Sequence, residues 1–278
     1  MAFEHIDVNS SQPATQCSRY PAVYIPEFIN KNPNLEINFF LPYSGGGKLA
    51  CSFIKSEKNE RNTIENRDAM QTKNETNDLS DFCVDPSKPV VIVCHGFQSW
   101  RNQMLIYHIA SGLTESLGYH TLRFDFAGNG HSNMPIDHGD QFVTHALETV
   151  VNFVHNELNC RVGCIVGHSL GAAVTMEFAV EREIKTEQNK IKAEHIIPHY
   201  VNLSGMYTPS RIDFSKMKKC SLMTIHGIQD DVVPVRNAHK IDAAVSNHKL
   251  ILLEDADHNF NGLRHMKKIV FSISSFIL

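Results

Sequence analysis

The sequence predicts an α/β fold: one open sheet of about eight strands, mostly parallel, with helices on both faces. Three observations carry this expectation. From Pro89 onward, apolar runs of about six residues alternate with longer segments whose apolar residues recur every three or four positions. The short runs are apolar throughout, as strands read when helices cover both sides of a sheet. Ahead of them, two apolar and β-branched runs are joined by LPYSGGG, the pattern of an antiparallel hairpin with a glycine loop.

Asn34 to Phe40 and Lys48 to Ile54 form the expected hairpin. The parallel strands are expected at Pro89 to His95, His120 to Phe126, Val162 to His168, His199 to Gly205, Ser221 to Gly227 and Lys249 to Asp255. Helical periodicity occupies Asn102 to Leu117, Asp140 to Leu158, Leu170 to Glu183, Val235 to Val245 and Phe260 to Leu278. Residues 1–33 read as a leader. The stretch from Lys55 to Ser87 is polar, with few large apolar groups to offset its ordering entropy. A mobile surface loop is expected there, with a solvated helix or a flap over the site as alternatives. No internal repeat occurs, and the 278 residues are expected to form a single domain.

Composition narrows the function. With 42% hydrophobic and 20% charged residues the chain reads as an ordinary soluble protein. A formal net charge of -4 offers no broad basic surface, so nucleic-acid binding is not expected and a small-molecule substrate fits better. The start, MAFEHIDVNSSQPATQ, lacks the positive charge and apolar run of a secretory signal, and no stretch approaches a membrane span. A cytoplasmic location is therefore expected. Seven cysteines, with Cys94, Cys164 and Cys220 inside apolar runs, read as buried thiols rather than disulfides. The sequons at Asn9, Asn74 and Asn202 are expected to be idle in that compartment. Sixteen histidines are dispersed without metal-ligand spacing, so no metal and no cofactor are expected. GGGK, Gly45 to Lys48, lacks the context of a phosphate loop and reads as the hairpin turn.

The strongest chemical signal is GHSLG, Gly167 to Gly171, directly after an apolar strand and directly before a helical segment. A strained strand-to-helix turn would expose the Ser169 hydroxyl, with glycines where side chains would meet neighbouring backbone. A serine hydroxyl needs a base, and the base needs a third group to fix its tautomer. On a doubly wound sheet these follow in the order acid, then histidine, on loops after later strands. HGIQDDVVP offers Asp230, and EDADHNF offers His258. An oxyanion hole requires amides aimed at the developing charge, and those of Phe97, in HGF, and Leu170 occupy suitable places. Asp125 precedes the serine and reads as a loop-shaping residue. Asp257 is too close to its neighbour His258 to orient it. His95 and His168 flank the site and are expected to bond structurally, with His168 as a candidate pocket wall. The C-terminal segment KKIVFSISSFIL is expected to pack on the sheet.

These residues together resemble the α/β-hydrolase superfamily. CHGFQSW, FDFAGNGHS, GHSLG, VNLSGMY, HGIQDDVVP and DADHNF are similar to small cinnamoyl or feruloyl esterase-like and serine aminopeptidase-like hydrolases, from about Pro89 to the C-terminus. The resemblance implies a Ser169, Asp230, His258 triad with Phe97 and Leu170 as oxyanion donors. It selects Asp230 over Asp231, because the acid lies three residues after the glycine of HG. Many members carry a cap between the strand ending in SG and the next, whereas here only Met206 to Cys220 intervenes, so the cap is expected to be absent or minimal. The implied activity is cleavage of a small ester through an acyl-enzyme. Acyl transfer or thioester cleavage by the same triad is one alternative, and a non-catalytic binding module on the same fold is another.

Overall fold

Eight strands join into one sheet because their apolar runs can be buried only between two layers of helices. A computed structural model describes residues 36–43, 46–56, 84–133 and 142–278. Outside the described residues lie the leader, positions 57–83 of the polar stretch, Ser44 and Gly45 of the hairpin loop, the helix start at Asp140, and the sequons at Asn9 and Asn74.

In chain order the elements are β1 (Glu36–Tyr43), β2 (Gly47–Ile54), β3 (Val90–Cys94), α1 (Met104–Leu117), β4 (His120–Phe124), α2 (Phe142–Asn156), β5 (Val162–His168), α3 (Leu170–Glu187), β6 (His199–Leu203), β7 (Ser221–Gly227), α4 (Arg236–Ala244), β8 (His248–Leu253) and α5 (Leu263–Ile277). The strand order is β1-β2-β4-β3-β5-β6-β7-β8. The leading hairpin pairs antiparallel with itself and with β4, and every other pairing is parallel.

Alternate residues of each strand feed two cores. On β3, Val90, Ile92 and Cys94 join α2 and α3 on one face, while Val91 and Val93 join α1 and α5 on the other. The described cysteines, Cys51, Cys94, Cys160, Cys164 and Cys220, are free and buried. Asn202 is also fully buried, on β6, so its sequon offers no surface acceptor.

The order reverses at β3, from which the chain steps outward to β4 and then back past β3 to β5. Loops leaving β3 and β5 therefore diverge and open a crevice at the carboxyl ends of the strands, where sheets of this type bind ligands. Phe97 and Ser169 stand on those two loops. The flanks of the polar stretch lie at the opposite edge. Ser56 N–H donates to His120 Nδ1 at 3.0 Å, and His120 Nε2 lies 3.2 Å from the Asp85 carbonyl, so both flanks meet at the amino end of β4.

Candidate active site

β5 ends at His168 and α3 starts at Leu170, so a single residue makes the turn. That residue, Ser169, has φ 52° and ψ -112°, a sparsely populated conformation for a side-chain-bearing residue. The surroundings force it. A Cβ on Gly167 would lie 2.2 Å from the Gly171 carbonyl oxygen, and one on Gly171 would lie 2.5 Å from that of His95. Only glycines let strand and helix approach this closely. Ser169 N–H donates to the Leu203 carbonyl at 2.9 Å, which pins the turn to β6.

His258 lies in the loop after β8, and its imidazole spans the gap between serine and acid. Nε2 is 3.0 Å from Ser169 Oγ, and Nδ1 is 2.9 Å from Asp230 Oδ2 and 3.1 Å from Oδ1. An ionised carboxylate only accepts, so Nδ1 carries the proton and the Nε2 lone pair accepts from the serine hydroxyl. Burial works against the Asp230 carboxylate, yet hydrogen bonds from His226, His258 and the Val233 amide outweigh it and hold the group well below the usual carboxylate range. The carboxylate thus stays charged beside the imidazole. Asp231, next in sequence, is exposed.

Two further histidines frame this arrangement. His168 is buried against His258, ring centroids 5.2 Å apart, and its Nε2 donates to the His258 carbonyl at 2.9 Å. Burial lowers the His168 pKa to about 4, so it is a neutral structural donor. His95 Nδ1 donates to the Gly96 carbonyl at 2.7 Å, and its Nε2 accepts from Phe126 N–H at 3.0 Å. In a trans peptide the carbonyl and the following N–H point in opposite directions, so fixing the Gly96 oxygen also fixes the Phe97 amide. A Cβ on Gly96 would sit 3.3 Å from Ser169 Cβ, which places this peptide against Ser169. Among the described residues, neither the Phe97 nor the Leu170 amide donates to another protein group.

Asp125 and Asp257 stand apart from this set. Asp125 is fully buried, ion-paired with Arg101 Nη1, and accepts from the amides of Arg101 at 2.5 Å and His131 at 2.9 Å. It ties the loop after β3 to the loop after β4. Asp257 caps the following turn by accepting from Asn261 N–H at 2.9 Å. Sequence reasoning overlooked His226, whose Nε2 lies 3.2 Å from Asp230 Oδ2; the HG pair at the end of β7 marked the place but not the contact. Among the described residues, no group of three or more potential ligands could hold a metal, and no helix is long and apolar enough to cross a membrane.

Comparison with known proteins agrees with the architecture. Residues 89–197 match a family model described as the alpha/beta hydrolase fold. Est1E from Butyrivibrio proteoclasticus, solved with ferulic acid bound, superposes with a TM-score of 0.62 at 18% identity, covering 86% of this chain and 97% of that one. The chain has the α/β-hydrolase fold. A Xanthomonas campestris serine hydrolase without a lid shares this α/β-hydrolase fold at a TM-score of 0.63 and 18% identity, over 88% and 94% of the two chains. In sequence, an uncharacterized protein of Rickettsia prowazekii is 24% identical over 187 residues, covering 63% of this chain and 73% of its own.

On this α/β-hydrolase fold the segment between β6 and β7 does not build a cap. Ile212, Phe214 and Met217 are buried in the core, a short 3-10 turn spans Phe214–Lys216, and Tyr207 stacks on Phe214 at 5.0 Å. Phe97, Met206, Ile228 and Val232, on loops at the carboxyl ends of β3, β6 and β7, remain largely exposed.

Proposed function

We propose that the protein is a serine hydrolase that cleaves small carboxylic esters through an acyl-enzyme. Ser169 Oγ attacks the ester carbonyl carbon while His258 Nε2 takes the hydroxyl proton. Asp230 holds the imidazole in its productive tautomer and stabilises the imidazolium that forms. The amides of Phe97 and Leu170 receive the negative oxygen of the tetrahedral intermediate. His258 then protonates the departing alcohol, and water, activated by the same imidazole, frees the acid and restores Ser169. Each step uses side chains or backbone of one domain.

One observation carries this reading: the single ring of His258 reaches Ser169 Oγ at 3.0 Å and Asp230 Oδ2 at 2.9 Å. These separations lie within proton-transfer reach without any rearrangement. Because the segment between β6 and β7 builds no cap, the acyl group is received at a rim to which Phe97, Met206, Ile228 and Val232 contribute apolar surface. Hydroxycinnamoyl esters are the first substrates to screen, since the fold relative Est1E holds ferulic acid.

Ser169→Ala tests the proposal. The native protein is expected to react with a fluorophosphonate probe and to turn over a short-chain nitrophenyl ester, and the alanine variant to do neither. Turnover that survives the substitution in a clean preparation removes Ser169 from the mechanism.

A further inference from the structure

Asp230 is gripped from more sides than its partnership with His258 requires. Oδ1 accepts from the amides of Val232 at 3.0 Å and Val233 at 2.7 Å. Oδ2 faces His258 Nδ1 at 2.9 Å and, besides, His226 Nε2 at 3.2 Å. His226 stands near the end of β7, its side chain fully buried, and the same Nε2 lies 2.7 Å from the Val233 carbonyl.

The proton on this ring is fixed by its neighbours. Val233 O and Asp230 Oδ2 can only accept, so Nε2 carries a hydrogen and the other ring nitrogen, Nδ1, takes no part in these contacts. That Nδ1 is buried without a partner. An unpaired buried nitrogen is unfavourable, and for packing alone an apolar side chain of similar size would serve better. What the imidazole adds is one donor at Nε2. Its shorter leg, to Val233 O, completes a ring of contacts: Val233 N–H reaches Asp230 Oδ1 while Val233 C=O is held by His226. The longer leg meets the oxygen that faces His258.

We propose that His226 is a positioning residue for the reaction, a donor that closes the Asp230–Val233 turn and keeps Oδ2 aimed at His258 Nδ1. It touches neither substrate nor reacting atoms. The kinetic part of this inference rests on the ester-hydrolase reading.

Three variants separate a donor from a filler. His226→Gln keeps an N–H at the place of Nε2, His226→Leu fills the volume without a donor, and His226→Asn carries an amide too short to reach. Expected for His226→Leu is a fall in kcat of about tenfold or more with KM little changed, because the orientation of the base is lost and not the binding of substrate. His226→Asn follows it, and His226→Gln retains most of the native kcat. The proton between His258 Nδ1 and Asp230 is expected to give the most downfield imidazole resonance in NMR spectra. It is expected to move or broaden in the leucine and asparagine variants and to stay in place in the glutamine variant. Native kcat and an unmoved resonance in His226→Leu overturn the inference, as does a loss in His226→Gln equal to that in His226→Leu. If His226→Leu does not fold, His226→Asn takes its place in the same comparison. A native protein that fails to react with the fluorophosphonate probe defeats the hydrolase reading alone, and the resonance then decides the role of His226 without turnover.

Discussion

In the proposed reaction Asp230 acts on Ser169 through His258, whose tautomer it fixes and whose imidazolium it stabilises. With its carboxylate accepting from Nδ1, Nε2 is left free to accept the serine proton. An amide at this position can donate to Nδ1 instead, which moves the ring proton to Nε2 and removes the base. Asp230→Asn is therefore expected to leave the fold intact and to lower kcat for a nitrophenyl ester by roughly a thousandfold or more, measured against the folded fraction. Ser169 and His258 were legible in the sequence because motif, chain order and strand ends restrict them, and Asp230 was separated from Asp231 by the family resemblance; the structure brings the three together. His226 was not legible, because its role depends on Val233 turning back to meet it and on the proton at one ring nitrogen, neither of which leaves a local pattern. His168 was legible only as a flanking residue; its bond to the His258 carbonyl joins residues 90 positions apart.

The loops after β3 and β4 are joined by a buried ion pair, Arg101 with Asp125, which side-chain relative exposures of 1% and 0% remove from water. Arg101 Nε also donates to Ser52 Oγ on β2 at 3.0 Å, so the pair links three neighbouring strands beneath the Phe97 loop. Removing one partner strands the other charge, and Asp125→Ala is expected to destabilise the protein by about 3–5 kcal/mol in urea unfolding. A double variant that also replaces Arg101 by Met is expected to recover much of the loss, because no uncompensated charge remains. The strands themselves were legible as apolar runs, while their limits depended on neighbours. β1 continues to Tyr43 because Leu41 and Tyr43 face the core. α5 begins at Leu263, and not at Phe260, because Phe260 at φ 51° and Gly262 at φ 104° form a turn that a helix cannot contain. The Asp125 contacts were expected only as loop shaping, since no spacing rule points from residue 125 to residue 101.

Across the whole molecule, buried neutral histidines make stability depend on pH. Burial lowers His168 from its ordinary value of 6.5 to about 4. His155 is lowered likewise, by burial first, then by the His195 ring stacked 4.2 Å away and by Arg182. Between these values the unfolded chain binds protons that the folded one refuses, so the folded state is favoured fully above pH 6.5 and loses ground as pH falls toward 4. Each histidine adds a slope of up to about 1.4 kcal/mol per pH unit in that window. Urea unfolding at several pH values is expected to show the decline, and His168→Gln, which keeps a donor for the His258 carbonyl, is expected to flatten it without abolishing it. The doubly covered sheet was readable from composition and periodicity because burial on both faces leaves uninterrupted apolar runs. Its interior also holds Cys94 and Cys164 at zero exposure, and burial pushes the Cys94 thiol up to about 12 and Cys164 higher still. Alkylating reagents need a thiolate they can reach. Modification at these two positions is therefore expected to proceed no faster than opening of the sheet, which equips the chain with a built-in stopwatch for its own unfolding, readable by mass spectrometry as the mass each alkylated cysteine gains.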